Sequence, residues 1–149
     1  MSTSGPLPPH VAEVLSEAGW TESWRADTSR WRDAFVDDGV DAHPAALEFL
    51  EKFGGLSVNI SGPGITCART PFAFDPALCD GEGDRFADWS TELGVHLFPI
   101  GELDNGHFFL GIDEHGVIYL VADWIARFGT WPEALDALVR GIQPETVVE

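Results

Sequence analysis

Apolar residues recur at helical spacing through the first third of the chain. Val11, Val14, Leu15 and Ala18 fall at i, i+3, i+4 and i+7, and Gly19 stops the run. Trp31, Ala34 and Phe35 mark a second, short helix that starts near Thr28 or Ser29 and ends at Gly39. Pro44 suits the first turn of a third helix, where its missing N–H would have no partner anyway. Ala46, Phe49, Leu50 and Phe53 form the stripe of that helix, and Gly54-Gly55 ends it. The period then changes to two. Leu56, Val58 and Ile60 alternate with Ser57 and Asn59, as in a strand with one buried face. Ser61 to Gly64 reads as a turn, and Ile65 to Phe74 as a strand bent at Pro71. A loop follows from Asp75 to Gly83. Asp84 then caps a helix carrying Phe86, Trp89 and Leu93, closed by Gly94.

Residues 98–124 read as a three-strand meander. Turn signals stand at Asp104-Asn105-Gly106 and at Asp113-Glu114-His115-Gly116. Apolar residues occupy both faces of the second and third strands, so these strands are expected to be covered on both sides. Phe49, Leu110 and Leu120 are expected in the core. Asp123 is read as the cap of a short helix with Trp124, Ile125 and Phe128. Thr130 and Glu133 have capping-box spacing for a last helix striped by Leu135, Leu138, Val139 and Ile142. The prediction is one α+β domain over 1–149, with a central, mostly antiparallel sheet flanked by N-terminal and C-terminal helices. Residues 1–9 and 143–149 are expected to be loose tails.

Composition narrows the function classes. The 149 residues are 44% hydrophobic, with 6 Trp and 10 Phe, which is too apolar for a disordered chain. Eight Lys and Arg face 25 Asp and Glu, for a formal net charge of −17. Such a charge repels a phosphate backbone and an anionic membrane alike, so neither nucleic acid nor membrane is an expected partner. It favours a basic protein. No targeting signal or membrane-spanning run is visible, and Cys67 and Cys79 read as reduced thiols, which suits a cytoplasmic protein. Trp20 and Trp24 are either core residues, the default reading, or exposed anchors.

No motif for chemistry stands out. Asp104, His107, Asp113 and His115 are metal-ligand types, but the intervening strand places the two pairs about 20 Å apart. Asp80, Glu82 and Asp84 resemble the start of a calcium loop. Arg85 and Thr91 then stand where such a loop needs Gly and a bidentate Glu. There is no G-x-S-x-G elbow and no Walker loop. Nothing local pairs Cys67 with His96. No catalytic residue, metal ligand or cofactor is expected.

Several stretches together resemble a known family. They are HPAALEFLEKFGGL (43–56) and FPIGELDNGHFFLGIDEHGVIYLVADW (98–124), joined by GWTESWRADTSRW (19–31) and DPALCDGEGDRFADWSTELG (75–94). Their order resembles the SUKH superfamily of bacterial immunity proteins, and its third subgroup in particular, over about Val11 to Ile142. The resemblance implies an α+β fold and a role in neutralising a polymorphic toxin by binding it. Such toxins are often nucleases or deaminases. It carries no catalytic residues. Superfamily members also serve as general interaction modules, which is the alternative reading, with a small metal-dependent hydrolase as a more distant one. The expected contacts with a basic toxin are Asp80, Glu82, Asp84, Glu102, Asp104, Asp113 and Glu114, clustered in three loops.

Overall fold

Proline and glycine set the ends of several elements, as their backbone limits require. The structure is a computed structural model and describes residues 7–148. Among the described residues are five α-helices: α1 (Pro9–Glu17), α2 (Ser29–Arg32), α3 (Pro44–Phe53), α4 (Gly83–Leu93) and α5 (Trp131–Arg140). Seven strands are β1 (Ser57–Val58), β2 (Phe72–Ala73), β3 (Phe98–Leu103), β4 (Phe108–Ile112), β5 (Val117–Val121), β6 (Ile125–Thr130) and β7 (Glu145–Val148). Short 3-10 turns lie at Val36–Asp38 and Pro76–Cys79.

The strands form one sheet in chain order, β1 to β7, and every neighbouring pair is antiparallel. The meander expected over 98–124 is β3–β4–β5. In it Leu110 opposes Leu120 and Ile112 opposes Ile118 on one face, while Gly111 opposes Tyr119 on the other. Helices cover both faces. Leu120 shares a cavity wall with Ala137 and Leu138 of α5. On the other face Phe86 of α4 lies so close to Gly111 that a Cβ there would sit 2.8 Å from its ring. Phe49, Leu110 and Leu120 are all buried.

An aromatic cluster ties the N-terminal helices to this sheet. Phe49 lies 5.1 Å from Phe53 and 5.0 Å from Phe74, and Phe53 lies 5.3 Å from Trp131, between ring centroids. Trp20 stacks on Phe53 at 5.7 Å. The indole N–H groups of Trp20 and Trp24 donate to the carbonyls of Lys52 and Gly54 at 2.9 and 3.0 Å. These carbonyls lie at the C-terminal end of α3, where a helix leaves acceptors unpaired. Both tryptophans are therefore packing residues that close a helix end.

Four local expectations are corrected. Residues 123–128 are not a helix: Ile125–Thr130 is β6, paired with β5 through Val121↔Ile125 and Leu120↔Ala126. The apolar positions 124, 125 and 128 suit a helical stripe, but a run this short does not separate helix from strand. Of the tail expected at 143–149, Glu145–Val148 is instead a strand, paired with β6 as β7, and residue 149 lies outside the described residues. Once β6 is read as a helix, β7 has nothing to pair with. The strands expected at 56–60 and 65–74 shrink to two residues each. The helix expected to be capped by Asp84 begins two residues earlier, at Gly83, with Glu82 at the cap position and Asp84 inside the first turn. Most of the tail expected at 1–9 lies outside the described residues, and Pro9 already belongs to α1.

Candidate functional site

Helix α4 is amphipathic, and its outer face is acidic. Asp84, Asp88 and Glu92 recur every four residues, so they form one stripe along the helix. Trp89 donates its indole N–H to the Ala122 carbonyl at 3.0 Å, which ties α4 to the end of β5. Between α4 and that β5–β6 turn lies an open groove of about 580 Å³. Five carboxylates line it, from Glu82, Asp84, Asp88, Glu92 and Asp123, against one guanidinium. That guanidinium, on Arg85, is already engaged. It donates to Glu82 at 2.8 Å and to Asp123 at 3.1 Å. The groove is left with excess negative charge that the chain itself does not neutralise.

The structure separates the expected contact residues. Glu82 and Asp84 line the groove, and the exposed Asp80 precedes them. Glu102 lies in β3 and Asp104 directly after it, in the β3–β4 turn, and Asp113 and Glu114 lie beyond the far end of β4. The seven do not form one patch. Asp88, Glu92 and Asp123 belong to the groove and were missed. The spacing of Asp84, Asp88 and Glu92 was readable, whereas Asp123 arrives only through the fold.

Asp113 is a correction. It is 2% exposed. One carboxylate oxygen accepts the backbone N–H groups of His115 and Val117 at 2.8 and 3.1 Å. The other accepts the Tyr119 hydroxyl at 2.9 Å. This carboxylate closes the β4–β5 turn from inside and offers no surface to a partner. Burial and the Asp113 carboxylate push the Tyr119 phenol up to about 12. Glu114 remains accessible and accepts the His96 N–H at 3.0 Å. Burial alone would raise its carboxyl, but that bond and the nearby His96 and His115 hold it below the usual range.

Ligand-type side chains of Asp113, Glu114 and His115 can approach one another within 4.8 Å. The Asp113 oxygens are already committed to three donors, so this group is a turn staple and not an open cation site. Asp104 and His107 pair with each other at the opposite end of β4, through the Asp104 carbonyl and the His107 Nδ1 at 2.6 Å. Cys67 and His96 also lie apart. Cys67 donates its N–H to the Gly141 carbonyl, while His96 faces Glu114. Cys79 is buried, its thiol donates to the Gly101 carbonyl, and burial raises its pKa well above the ordinary thiol range.

A family model described as SUKH-3 immunity protein matches residues 7–141. The chain belongs to the SUKH-3 immunity protein family. The SUKH-3 match runs from two residues before α1 to the glycine after α5, so β7 extends the sheet beyond it. No curated protein and no solved structure matches the chain. An immunity protein family implies a toxin partner in general. Among the described residues of this SUKH-3 chain, no helix is long and apolar enough to cross a membrane.

Proposed function

We propose that this SUKH-3 protein neutralises a cognate toxin of a polymorphic toxin system by stoichiometric binding through its acidic surface, centred on the α4 groove. The observation that carries the reading is the groove itself, five carboxylates around one engaged arginine in a chain of net charge −17. The protein acts by occlusion in the cytoplasm and not by catalysis. A toxin that cuts or deaminates nucleic acid needs a basic cleft, and a carboxylate-lined surface can occupy such a cleft in place of phosphates. Complementary charge would speed the encounter roughly 10–10³-fold over a neutral pair. Asp80, Glu82 and Asp84 contribute at one end of the groove. Glu102, Asp104 and Glu114 form outlying acidic positions.

The test is co-expression with the products of the neighbouring genes, any of which could be the toxin. Asp84→Lys, Asp88→Lys and Glu92→Lys are combined in one variant, and Glu102→Lys with Glu114→Lys in another. The groove variant should stay folded and lose protection, and wild-type association should slow steeply with salt, because exposed charges are screened over about 8 Å at physiological ionic strength. Full protection by the groove variant would move the contact elsewhere. Failure of the wild type to bind or protect would leave a general interaction module without a toxin.

A further inference from the structure

A second concavity lies on the face of the sheet that α5 covers, opposite the acidic groove, and is mostly apolar. It holds about 290 Å³. Leu103, Phe108, Leu120, Trp124, Leu138 and Ile142 form its apolar lining. Phe108 and Trp124 meet edge to face at 6.0 Å. Among the described residues in the wall, Asp104 alone is charged. The volume is at the bottom of the roughly 300–1,000 Å³ range of small-molecule sites, so it suits one or two side chains better than a cofactor.

The pocket is held open by backbone. Residues 65–67 hydrogen-bond to the end of α5: Ile65 N–H to the Arg140 carbonyl at 3.0 Å, and Thr66 and Cys67 N–H to that of Gly141 at 2.9 and 3.0 Å. They satisfy acceptors that the helix end leaves over. Gly141 has φ +69°, and a Cβ on it would sit 2.7 Å from the Gly64 Cα. Neither position has room for a side chain. The wall that continues through Ala68 and Thr70 is therefore anchored next to α5, and a preformed wall lowers the ordering cost of binding.

Position relates this pocket to the groove. Ala122 and Asp123 line the acidic groove, and Trp124, the next residue, lines the apolar pocket. The β5–β6 turn therefore contributes to the walls of both concavities. A second copy of a chain with net charge −17 is repelled from this place, whereas a cationic segment is drawn to it. We infer that the apolar pocket receives an apolar anchor side chain of a basic partner segment, whose flanking Lys or Arg residues rest against Asp104 on one side and the α4 groove on the other. Buried aromatic anchors ringed by weaker polar contacts carry most of the binding energy in many interfaces. The inference rests on the proposed toxin reading only for the partner's identity.

The experiment does not need the toxin. The probes are the acetylated, amidated peptide Lys-Arg-Trp-Arg-Lys, an analogue with Ala in place of Trp, an analogue with Glu in place of every basic residue, and free indole. Binding is read from the NMR methyl signals of Leu103, Leu120 and Leu138. The Trp peptide should shift these signals, and both peptide analogues should bind about tenfold more weakly or worse. Ala68→Trp and Thr146→Trp each fill the pocket from an exposed position, and each should abolish the shifts while leaving the thermal melt unchanged. Asp104→Asn, which keeps the backbone tolerance that φ +58° demands, should weaken the Trp peptide about two- to threefold. Equal binding of the Ala analogue would overturn the anchor, and equal binding of the acidic analogue would overturn the charge. Indole binding as tightly as the peptide would make this a small-molecule site. Shifts that depend on protein concentration without peptide would point to a second copy. A toxin that is not bound, beside a peptide that is, would sink the toxin reading and leave this inference standing.

Discussion

The β3–β4 turn reads Asp104-Asn105-Gly106-His107, and the β4–β5 turn reads Asp113-Glu114-His115-Gly116. Both join antiparallel strands of one meander, and both offer an aspartate, a histidine and a glycine. Their aspartates have opposite fates. Asp104 and Asn105 take left-handed backbone angles, φ 58° and 56°, and the Asp104 side chain stays at the surface. Asp113 turns inward, toward the face of the sheet that α4 covers, and binds three donors there. The difference lies in what stands opposite. Tyr119 brings a hydroxyl to Asp113 across the β4–β5 pair, whereas the surroundings of Asp104 offer the half-exposed Phe108 and an apolar pocket. An acidic turn residue is thus not by itself a binding residue; the side chains facing it decide.

The largest expected effect uses the strand between the two turns as a reference. Leu110→Ala removes a fully buried side chain and should cost roughly 2–5 kcal/mol in urea denaturation. A smaller loss than that of Asp113→Ala would mean that β4 is held by its turns more than by its core. Asp113→Ala should come next, at about 2–3 kcal/mol, because it orphans the Tyr119 hydroxyl and two backbone N–H groups. In a domain of this size each kcal/mol lowers the melting temperature by about 2–4 °C. The same variant should return the phenol of Tyr119, followed by ultraviolet titration, from about 12 toward its ordinary 10. The sign follows from the raised value. The stabilisation by Tyr119 is complete below pH 10 and is lost as pH rises through about 12.

A third effect distinguishes the two turns by acid. The Nδ1 of His43 accepts the Ala46 N–H at 3.1 Å as the cap of α3, and its Nε2 donates to the Ile112 carbonyl at 3.1 Å, one residue before Asp113. Only the neutral ring makes both bonds. Burial lowers its pKa, outweighing the hydrogen bonds and the charges of Glu114 and Asp113 that raise it. A lowered folded value means that this stability is present above pH 6.5 and is lost as pH falls below it. The loss should approach the ~1 kcal/mol of an N-cap, and His43→Ala should remove the pH dependence. A His43 NMR titration midpoint at or above 6.5 would refute the assignment. The smallest effect belongs to the exposed turn. Asp104→Asn should stay within about 0.5 kcal/mol of wild type, and a larger loss would mean that the two turns are alike after all.

Much of the fold was legible because its signals are local. The stripe of Phe49, Leu50 and Phe53, the stops at Gly54-Gly55 and Gly94, and the alternation within 98–121 each depend on neighbours in sequence. β6 and β7 were not legible, because β6 is defined by pairing with β5 and β7, and β7 by pairing with β6. The groove was half legible. Asp84, Asp88 and Glu92 announce their common face by spacing, but Asp123 joins them only when β5 ends beside α4.

The sequence alone determined the class of this protein: an acidic α+β chain, the helix stops, the central meander and a family resemblance that the SUKH-3 match bears out. These follow from period, composition and charge, which are properties of neighbouring or summed residues. The tertiary structure alone decided which acids are surface and which are scaffold. It buried Asp113 against Tyr119, gathered Asp123 with the α4 stripe, and set an apolar pocket one residue away at Trp124. The physical reason is that exposure and partnership depend on residues brought together from far along the chain, so the same carboxylate is a solvated charge in one setting and a buried hydrogen-bond acceptor in another.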